Sequence, residues 1–467
     1  MSRTRQAVRW GLLLVAAAWL SGCAAQVFER PLAVMLDREA VPCWRLDAAR
    51  QAGGDPALAT QYQAALESLL FDPGHPYDLR CFAVDELVRL DESRFRQQVQ
   101  QRITDLSDRQ TLAYVCRYAV GAAWVGFTGP AIRSLARADE EPDADVRPQC
   151  AAIEALHPGQ SVEHVVHEAL ANVQQTYGID VQVAAWTLVN RWYAPQAVVA
   201  LLVRMPQHTP LVINLMACHR DLHALPTNRE GVFWLLTLRD GRHRAFWEAA
   251  KARVAGLDPA QARGLELRHM GVLLQLDQAT LQVGADQLRR RAAEVLARRT
   301  RTAKLEAGRD EQLLASLCWA DLATLLMLDQ AVRQPTVAAA LFAQADADFA
   351  DKSTEHGGVI AARRGSAADQ AWQIVAMSFP PLTRRHDMMF LPSPEMIEQL
   401  YTSLAHYHFH AHQHDNVEAA GPGRSDLALA DRLRANCLVF TFIDRDYLHV
   451  SYYQPGGIVI DLGTLAR

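Results

Sequence analysis

Apolar residues recur at helical spacing through the first half of the chain, and the pattern repeats. Second helices of such repeats are predicted at 162–173 and 195–205, where apolar positions again follow a helical period. A period of roughly 35 residues is typical of stacked helix pairs. We therefore predict an α-helical repeat region over 57–205, with an irregular helical domain as the alternative. The first helices of the repeats open at Asp78, Arg109, Asp145 and Asp180.

These segments loosely resemble HEAT repeats, because Asp-Val/Leu-Arg openings precede Ala-rich amphipathic helices. The resemblance implies a solenoid whose surface binds a protein partner. Residues 206–335 carry further helical patterns, including a charged helix over 285–308 and a buried helix over 311–332. His219 and His223 stand four residues apart on one predicted helix. No third metal ligand is apparent near them, so we expect a surface or capping role.

The periodicity changes after Pro335, where short strand-like runs alternate with short helices. Ser393 is predicted to cap a helix there, and Pro394 to be its first residue. The pattern indicates an α+β domain over 336–467, so the chain is predicted to be multidomain, with an α-helical repeat followed by an α+β domain. Strands are expected near 357–362, 370–382, 404–411, 437–443, 447–454 and 457–463, and helices at 336–352, 393–405 and 425–435.

The N-terminus has the pattern of an export signal. Three arginines among the first nine residues precede the apolar run Gly11–Leu20, and Leu-Ser-Gly-Cys ends the segment at Cys23. This resembles the bacterial lipobox, which implies a signal peptide over 1–22 and a bilayer anchor on lipidated Cys23. By the same resemblance, Ala24 favours the periplasmic face of the outer membrane. An ordinary secretory signal is the alternative, and 23–56 would be a tether and irregular segment.

Composition is that of a globular protein. The chain has 467 residues, half of them hydrophobic, and a formal net charge of −5. Nothing in this balance suggests a nucleic-acid partner. Seven cysteines follow Cys23 without any CxxC spacing, and most stand in apolar helical patterns, so we expect buried thiols. Cys43 and Cys81 are the candidate pair for a disulfide, because both lie in the less regular N-terminal part.

A histidine ladder near the C-terminus carries the candidate chemistry. His406, His408, His410, His412 and His414 alternate with other residues. On a strand, such residues project from one face, where imidazoles could bind a metal. The ladder therefore points to a metal site in the α+β domain.

Glu355 precedes the ladder and Asp426 follows it. A hydrolytic zinc site needs three protein ligands, an open position and a base that is not itself a ligand. The order Glu, His-x-His, Asp in TEHGGVI, YHFHA and GPGRSDLALA resembles the JAMM/MPN metalloprotease domain. The resemblance implies Zn²⁺ held by His408, His410 and Asp426, with Glu355 as general base. It further implies hydrolysis of an amide or isopeptide bond in a protein or peptide substrate.

Two departures from this family pattern matter. The family has a serine three residues before the Asp, where this chain has Gly423, so the nearby Ser425 is the candidate catalytic hydroxyl. The gap from His410 to Asp426 is also longer than usual, and spacing alone would fit His412 and His414 better. We favour His408 and His410, because their segment has the apolar pattern of a strand.

Two functions are therefore open. The first is a lipid-anchored zinc metallopeptidase of the cell envelope, whose helical repeats recruit a substrate or partner. The second is a non-catalytic envelope scaffold with an inactive MPN-like domain. Metal storage on the ladder is a third hypothesis, which predicts several weakly held metals instead of one.

Overall fold

The computed structural model describes residues 28–137, 147–237, 241, 243–300, 309–364, 372–384 and 389–467. The predicted signal peptide and Cys23 lie outside the described residues. The described chain is mostly helical, and a mixed six-stranded sheet lies near its C-terminus. This confirms the coarse prediction of a helical part followed by an α+β part. No helix in the described ranges is long and apolar enough to cross a membrane.

Eight of the 22 helices in the described residues begin at proline. They are α1 (Pro31–Leu36), α2 (Pro42–Gly53), α3 (Ala59–Phe71), α4 (Tyr77–Arg102), α5 (Arg109–Gly121), α6 (Thr128–Arg137), α7 (Pro148–Leu156), α8 (Val162–Ala171), α9 (Ile179–Trp192), α10 (Pro195–Arg204), α11 (Pro210–Leu222), α12 (Arg229–Thr237), α13 (Arg244–Val254), α14 (Pro259–Ala262), α15 (Met270–Leu273), α16 (Gln278–Leu281), α17 (Ala285–Ala297), α18 (Arg309–Ser316), α19 (Trp319–Val332), α20 (Pro335–Ala350), α21 (Pro394–Glu398) and α22 (Arg424–Leu433). The strands are β1 (Gly357–Arg364), β2 (Trp372–Phe379), β3 (Ala405–His410), β4 (Cys437–Phe442), β5 (Tyr447–Gln454) and β6 (Ile458–Ala466).

The chain divides into two compact units, Met1–Val189 and Asn190–Arg467. The described part of the first unit is helical, with α3 packed on α4, and with α5 and α6 both packed on α7. Helices α4, α5, α7, α8, α9 and α10 occupy the segments predicted as repeat helices. Their assignment to HEAT repeats stays a prediction. The second unit combines the later helices with the sheet.

Of three local predictions, the structure confirms one and contradicts two. His223 ends α11 in a left-handed conformation, and its N–H donates to the carbonyl of His219 at 3.1 Å, which confirms the capping role. Cys43 and Cys81 are both free thiols, so the disulfide predicted between them is wrong. The helix predicted over 311–332 is two helices, since extended Cys318 separates α18 from α19.

The sheet of the second unit has the strand order β2-β1-β3-β4-β5-β6. Neighbouring strands are antiparallel except β3 and β4, which are parallel and joined through α22. Every residue of β4 is buried, so this strand lies at the centre of the core. A Cβ on Gly358 would lie 1.9 Å from the Met377 carbonyl oxygen and 2.6 Å from the Tyr407 hydroxyl. Only glycine therefore lets β1 fit between β2 and β3 at this point.

Candidate metal centre

Strand β3 presents the first three histidines of the ladder on one face. It ends at His410, and the side chains of His406, His408 and His410 alternate with Tyr407 and Phe409. Tyr407 and Phe409 are fully buried and pack edge to face on each other at 5.5 Å, which fixes the strand from its other face. The imidazoles of the ladder are thus held by a strand whose opposite face is core.

His408 and His410 meet Asp426 at one point. Their Nε2 atoms lie 3.2 Å apart. His408 Nε2 is 3.4 Å from Asp426 Oδ1, and His410 Nε2 is 3.5 Å from Asp426 Oδ2. Three potential ligands from two different elements therefore face one another, as the sequence pattern predicts.

The topology explains why Asp426 reaches the histidines. Parallel β3 and β4 need a crossover, and the helix of that crossover begins beyond the carboxyl end of β3, where His410 lies. Gly423 is the N-cap of α22. Asp426 is the third helical residue, and its Oδ2 accepts the Gly423 N–H at 2.7 Å. This bond orients the carboxylate toward the strand.

Glu355 approaches from the segment that leads into β1. One carboxylate oxygen of Glu355 and one ring nitrogen each of His408 and His410 all lie within 4.8 Å of one another. Only 6% of Glu355 is exposed. Gly357, two residues later, pairs with His408 across the sheet, so the register of β1 and β3 holds the acid beside the histidine. The structure thus brings all four predicted residues together.

The donor set fits a zinc ion. Two donors held about 2.1 Å from a tetrahedral zinc lie about 3.4 Å apart. Here the two Nε2 atoms are 3.2 Å apart, and each lies 3.4 or 3.5 Å from its own oxygen of the Asp426 carboxylate. His410 Nδ1 lies 3.0 Å from the carbonyl oxygen of Ala419, which can only accept, so Nδ1 carries a proton. Nε2 is therefore the ring nitrogen whose lone pair a metal would bind once the proton on Nε2 is released. The Tyr453 hydroxyl, which can donate or accept, lies 3.4 Å from Nδ1 of His408.

The electrostatics of the cluster favour a cation. Burial opposes the charge on Asp426, but hydrogen bonds from His408 and His410 outweigh it and hold the pKa of this carboxyl well below its usual range. For His410, burial lowers the pKa, and the Asp426 and Glu355 carboxylates more than compensate, so that the pKa is raised. Two carboxylates stabilise positive charge at this point, which a bound metal would supply.

Comparisons of the chain with protein-family models, with curated proteins and with solved structures found no match.

The other histidines of the ladder lie apart from the cluster. His412 and His414 follow the end of β3. The ring of His414 stacks on Phe349 at 4.1 Å, and the Nδ1 of His412 lies 3.4 Å from the Asn416 amide. His406 is buried rather than solvent-facing, and burial lowers its pKa to about 4. The geometry therefore favours the pair at 408 and 410 over the pair at 412 and 414.

The Ser425 side chain is not part of the cluster. It is exposed near the start of α22, whereas Glu355 and His408 are buried. Two further groups beside the cluster carried no sequence signal: Tyr453 from β5 and Asp348 from α20. Tyr453 is separated from the histidine ladder by dozens of residues, and Asp348 lies among several other aspartates. No local sequence motif therefore identifies either residue.

A second group of potential ligands lies elsewhere in this unit. His269, Cys318 and Asp321 have ligand atoms within 4.8 Å of one another. His269 Nδ1 accepts the backbone N–H of Glu266 at 3.0 Å, and its Nε2 lies 3.0 Å from Asp321, to which it donates. Both ring nitrogens are therefore used, and no imidazole lone pair remains for a metal. This group is a buried hydrogen-bond network.

Proposed function

We propose that the second unit is a zinc-dependent metallopeptidase that hydrolyses a peptide or isopeptide bond. The observation that carries the proposal is the convergence of the His408 and His410 Nε2 atoms with the Asp426 carboxylate, next to Glu355. Three protein ligands with a fourth position open, and a separate acid beside them, form the donor set of a catalytic rather than a structural zinc site.

Each residue then has a defined task. His408, His410 and Asp426 would hold the ion, and Ala419 and Tyr453 would fix the two imidazoles through Nδ1. A bound zinc ion would lower the pKa of a water molecule and polarise the substrate carbonyl. Glu355 would take the proton of the attacking water and deliver it to the leaving amine. Ser425, as the candidate hydroxyl near the site, would need to turn inward to contribute.

The remainder of the proposal concerns location and partners. We propose a bacterial lipoprotein of the cell envelope, anchored through Cys23, whose helical repeats bind the protein substrate or a partner. The alternative is a non-catalytic scaffold that keeps the same cluster. Gly423 favours this alternative, because it supplies no hydroxyl where the family pattern has a serine.

Metal analysis of the full-length protein tests the site. We expect one zinc per chain, lost in His408→Ala and Asp426→Ala but retained in Glu355→Gln, because Glu355 is not a ligand. His414→Ala is the matched control: its ring packs on Phe349 away from the cluster, so zinc content stays at one. Protein without stoichiometric metal would contradict the proposal, and several loosely held ions would indicate metal storage.

Hydrolysis assays on linear and branched peptides separate the enzyme from the scaffold. Loss of a general base typically costs about a hundredfold or more in rate. Glu355→Gln should therefore reduce kcat at least that much while zinc stays bound. Ser425→Ala should lower kcat as well if this hydroxyl takes part, and leave it unchanged if not. A zinc-loaded wild type that cleaves no bond of either class would favour the scaffold.

A further inference from the structure

Asp348 occupies a position that is costly for a carboxylate. It lies in the last turn of α20, and only 1% of the residue is exposed. The carboxyl end of a helix is the negative end of its dipole, and a buried charge loses its hydration. Ordinary packing would place an apolar residue here, so the contacts of this carboxylate must offset the cost.

The two oxygens of Asp348 accept hydrogen bonds from two separate segments of the site. Oδ1 accepts the backbone N–H of His356, and Oδ2 accepts the backbone N–H of Ala411 at 3.2 Å. His356 directly follows Glu355, and Ala411 directly follows His410. One carboxylate therefore joins the segment of the proposed base to the end of the ligand strand.

The sheet itself does not make this connection. The pairing of β1 with β3 ends at Gly357 and His408, and one more backbone bond, from Phe409 N–H to the His356 carbonyl at 3.1 Å, extends it. The N–H groups of His356 and Ala411 lie beyond that last bond. Asp348 accepts both of them, so its carboxylate replaces the backbone hydrogen bonds that β1 and β3 do not form with each other beyond this point.

We propose that Asp348 is a positioning residue of the proposed hydrolytic site. It sets the distance between the Glu355 carboxylate and the His410 imidazole, and thereby the place where the attacking water loses its proton. This inference rests on the proposed function. A displacement of reacting groups by about 1 Å can cost a hundredfold in rate. The charge on Asp348 matters because two N–H donors share it, each through a charge-assisted bond.

Asp348→Asn is the test. The amide keeps the shape of the side chain, but it offers one acceptor oxygen and turns an NH₂ group toward the second N–H. We expect kcat to fall roughly tenfold to a hundredfold, with KM within about twofold and one zinc retained. Hydrogen exchange measured by mass spectrometry should quicken in peptides that contain His356 and Ala411. A purely structural role would not separate kcat from KM.

Asp346→Asn is the matched control on the same helix. Its carboxylate forms a surface ion pair with Arg467 at 2.8 Å, with the Asp346 side chain 47% exposed, so kcat and local exchange should stay at wild-type values. Wild-type kcat in Asp348→Asn would overturn the proposal, as would a loss that merely follows the folded fraction. If the wild type hydrolyses nothing, the proposed function fails, and exchange at the two amides still reports whether Asp348 joins the segments.

Discussion

Gly423 occupies the position at which the JAMM/MPN family pattern has a serine, and its backbone conformation is one that serine can adopt. Its φ of −77° and ψ of 176° are open to any L-residue, and it is the N-cap of α22, a position at which serine is favoured. A Cβ on Gly423 would lie 3.5 Å from Asp426 Oδ2 and 3.8 Å from Ser425 Oγ, both ordinary contacts. The missing hydroxyl is therefore a chemical difference without a steric cause.

We expect Gly423→Ser to raise the activity of the proposed enzyme. A hydroxyl donor at the developing oxyanion is worth up to about a hundredfold in kcat where its geometry is good, so an increase of about tenfold or more is the expected result. The measurement is kcat on the best peptide substrate, at unchanged zinc content. Gly423→Ala adds the Cβ without the hydroxyl and is the control. Equal activity in the two variants would show that the hydroxyl plays no part.

Only some residues in and around the cluster could be predicted from the sequence. His408 and His410 were predictable because two imidazoles at i and i+2 in an apolar run share one face of a strand. Their separation from His412 and His414 followed from the end of the apolar pattern at Ala411. Asp348 was not predictable, since Asp346 and Asp351 stand beside it and only tertiary contacts distinguish the three.

At the scale of elements, the crossover between β3 and β4 creates the site. A parallel strand pair requires a long connection, and that connection starts at the edge of the sheet where His410 ends β3. The long gap between His410 and Asp426, a departure from the family spacing, is taken up by a short 3₁₀ turn at Val417–Ala419. Ala419 of that turn supplies the carbonyl that orients His410. Sequence spacing alone favoured His412 and His414 as ligands, because spacing takes no account of this turn.

A buried charge network joins the helical layer of the second unit to its sheet. Arg268 is 3% exposed and donates to Asp321 on α19 at 2.6 Å and to Asn436, next to β4, at 2.7 Å. It also contacts Gln454 at the end of β5 at 3.2 Å. Burial opposes the charge of the guanidinium, but the nearby carboxylates of Glu266 and Asp321 outweigh it and raise the pKa of Arg268. This arginine therefore fixes α19 relative to two strands.

Arg268→Met should destabilise the second unit strongly. Removing one partner of a buried pair leaves a charge without compensation, at a typical cost of about 3–5 kcal/mol, which calorimetry would record as a lower Tm at pH 7. Arg220→Met is the control, because this side chain is 71% exposed and its partner Asp221 also pairs with Lys251, so the carboxylate keeps a cation beside it. A Tm for Arg268→Met equal to that of the control would refute the role of the network.

The same variant has a predictable pH dependence. Burial opposes ionisation of Asp321, but its partners, including His269 and Arg268, hold the pKa of this carboxyl well below its unfolded value. The resulting stability is present above about pH 4 and is lost as the pH falls toward the folded pKa. Without Arg268 the pKa of Asp321 rises, so less of this stability remains to lose in acid. The Tm deficit of Arg268→Met should therefore shrink as the pH falls from about 4 toward about 2.

At the scale of the whole molecule, fold class was more predictable than boundaries. The change from helical to strand period after Pro335 marked where the sheet begins, and β1 does follow α20. The break at Cys318 was hidden, because the apolar pattern runs through it without proline or glycine. An Asp321 carboxylate that accepts the Cys318 N–H at 3.1 Å restarts the helix there, and only the buried network explains why that geometry is favoured.

The N-terminal segment predicts where the molecule acts. The lipobox-like Leu-Ser-Gly-Cys implies acyl chains on Cys23, and each buried CH₂ contributes about 0.8 kcal/mol to membrane binding. In a bacterial host, the full-length protein should incorporate a palmitate analogue and sediment with the membranes. Cys23→Ser should lose the label and leave the membrane fraction.

Cys43→Ser is the matched control for this experiment, since Cys43 is an exposed free thiol that follows the signal segment by only a short stretch. It should retain both label and location, because lipobox processing modifies the cysteine at the cleavage site alone. Label absent from the wild type would indicate an ordinary secreted protein, and label retained in Cys23→Ser would contradict lipidation at Cys23. An anchored enzyme would in turn confine the proposed hydrolysis to substrates within reach of the bilayer. Cys23→Ser with unchanged kcat on soluble peptides would show that the anchor sets location and not chemistry.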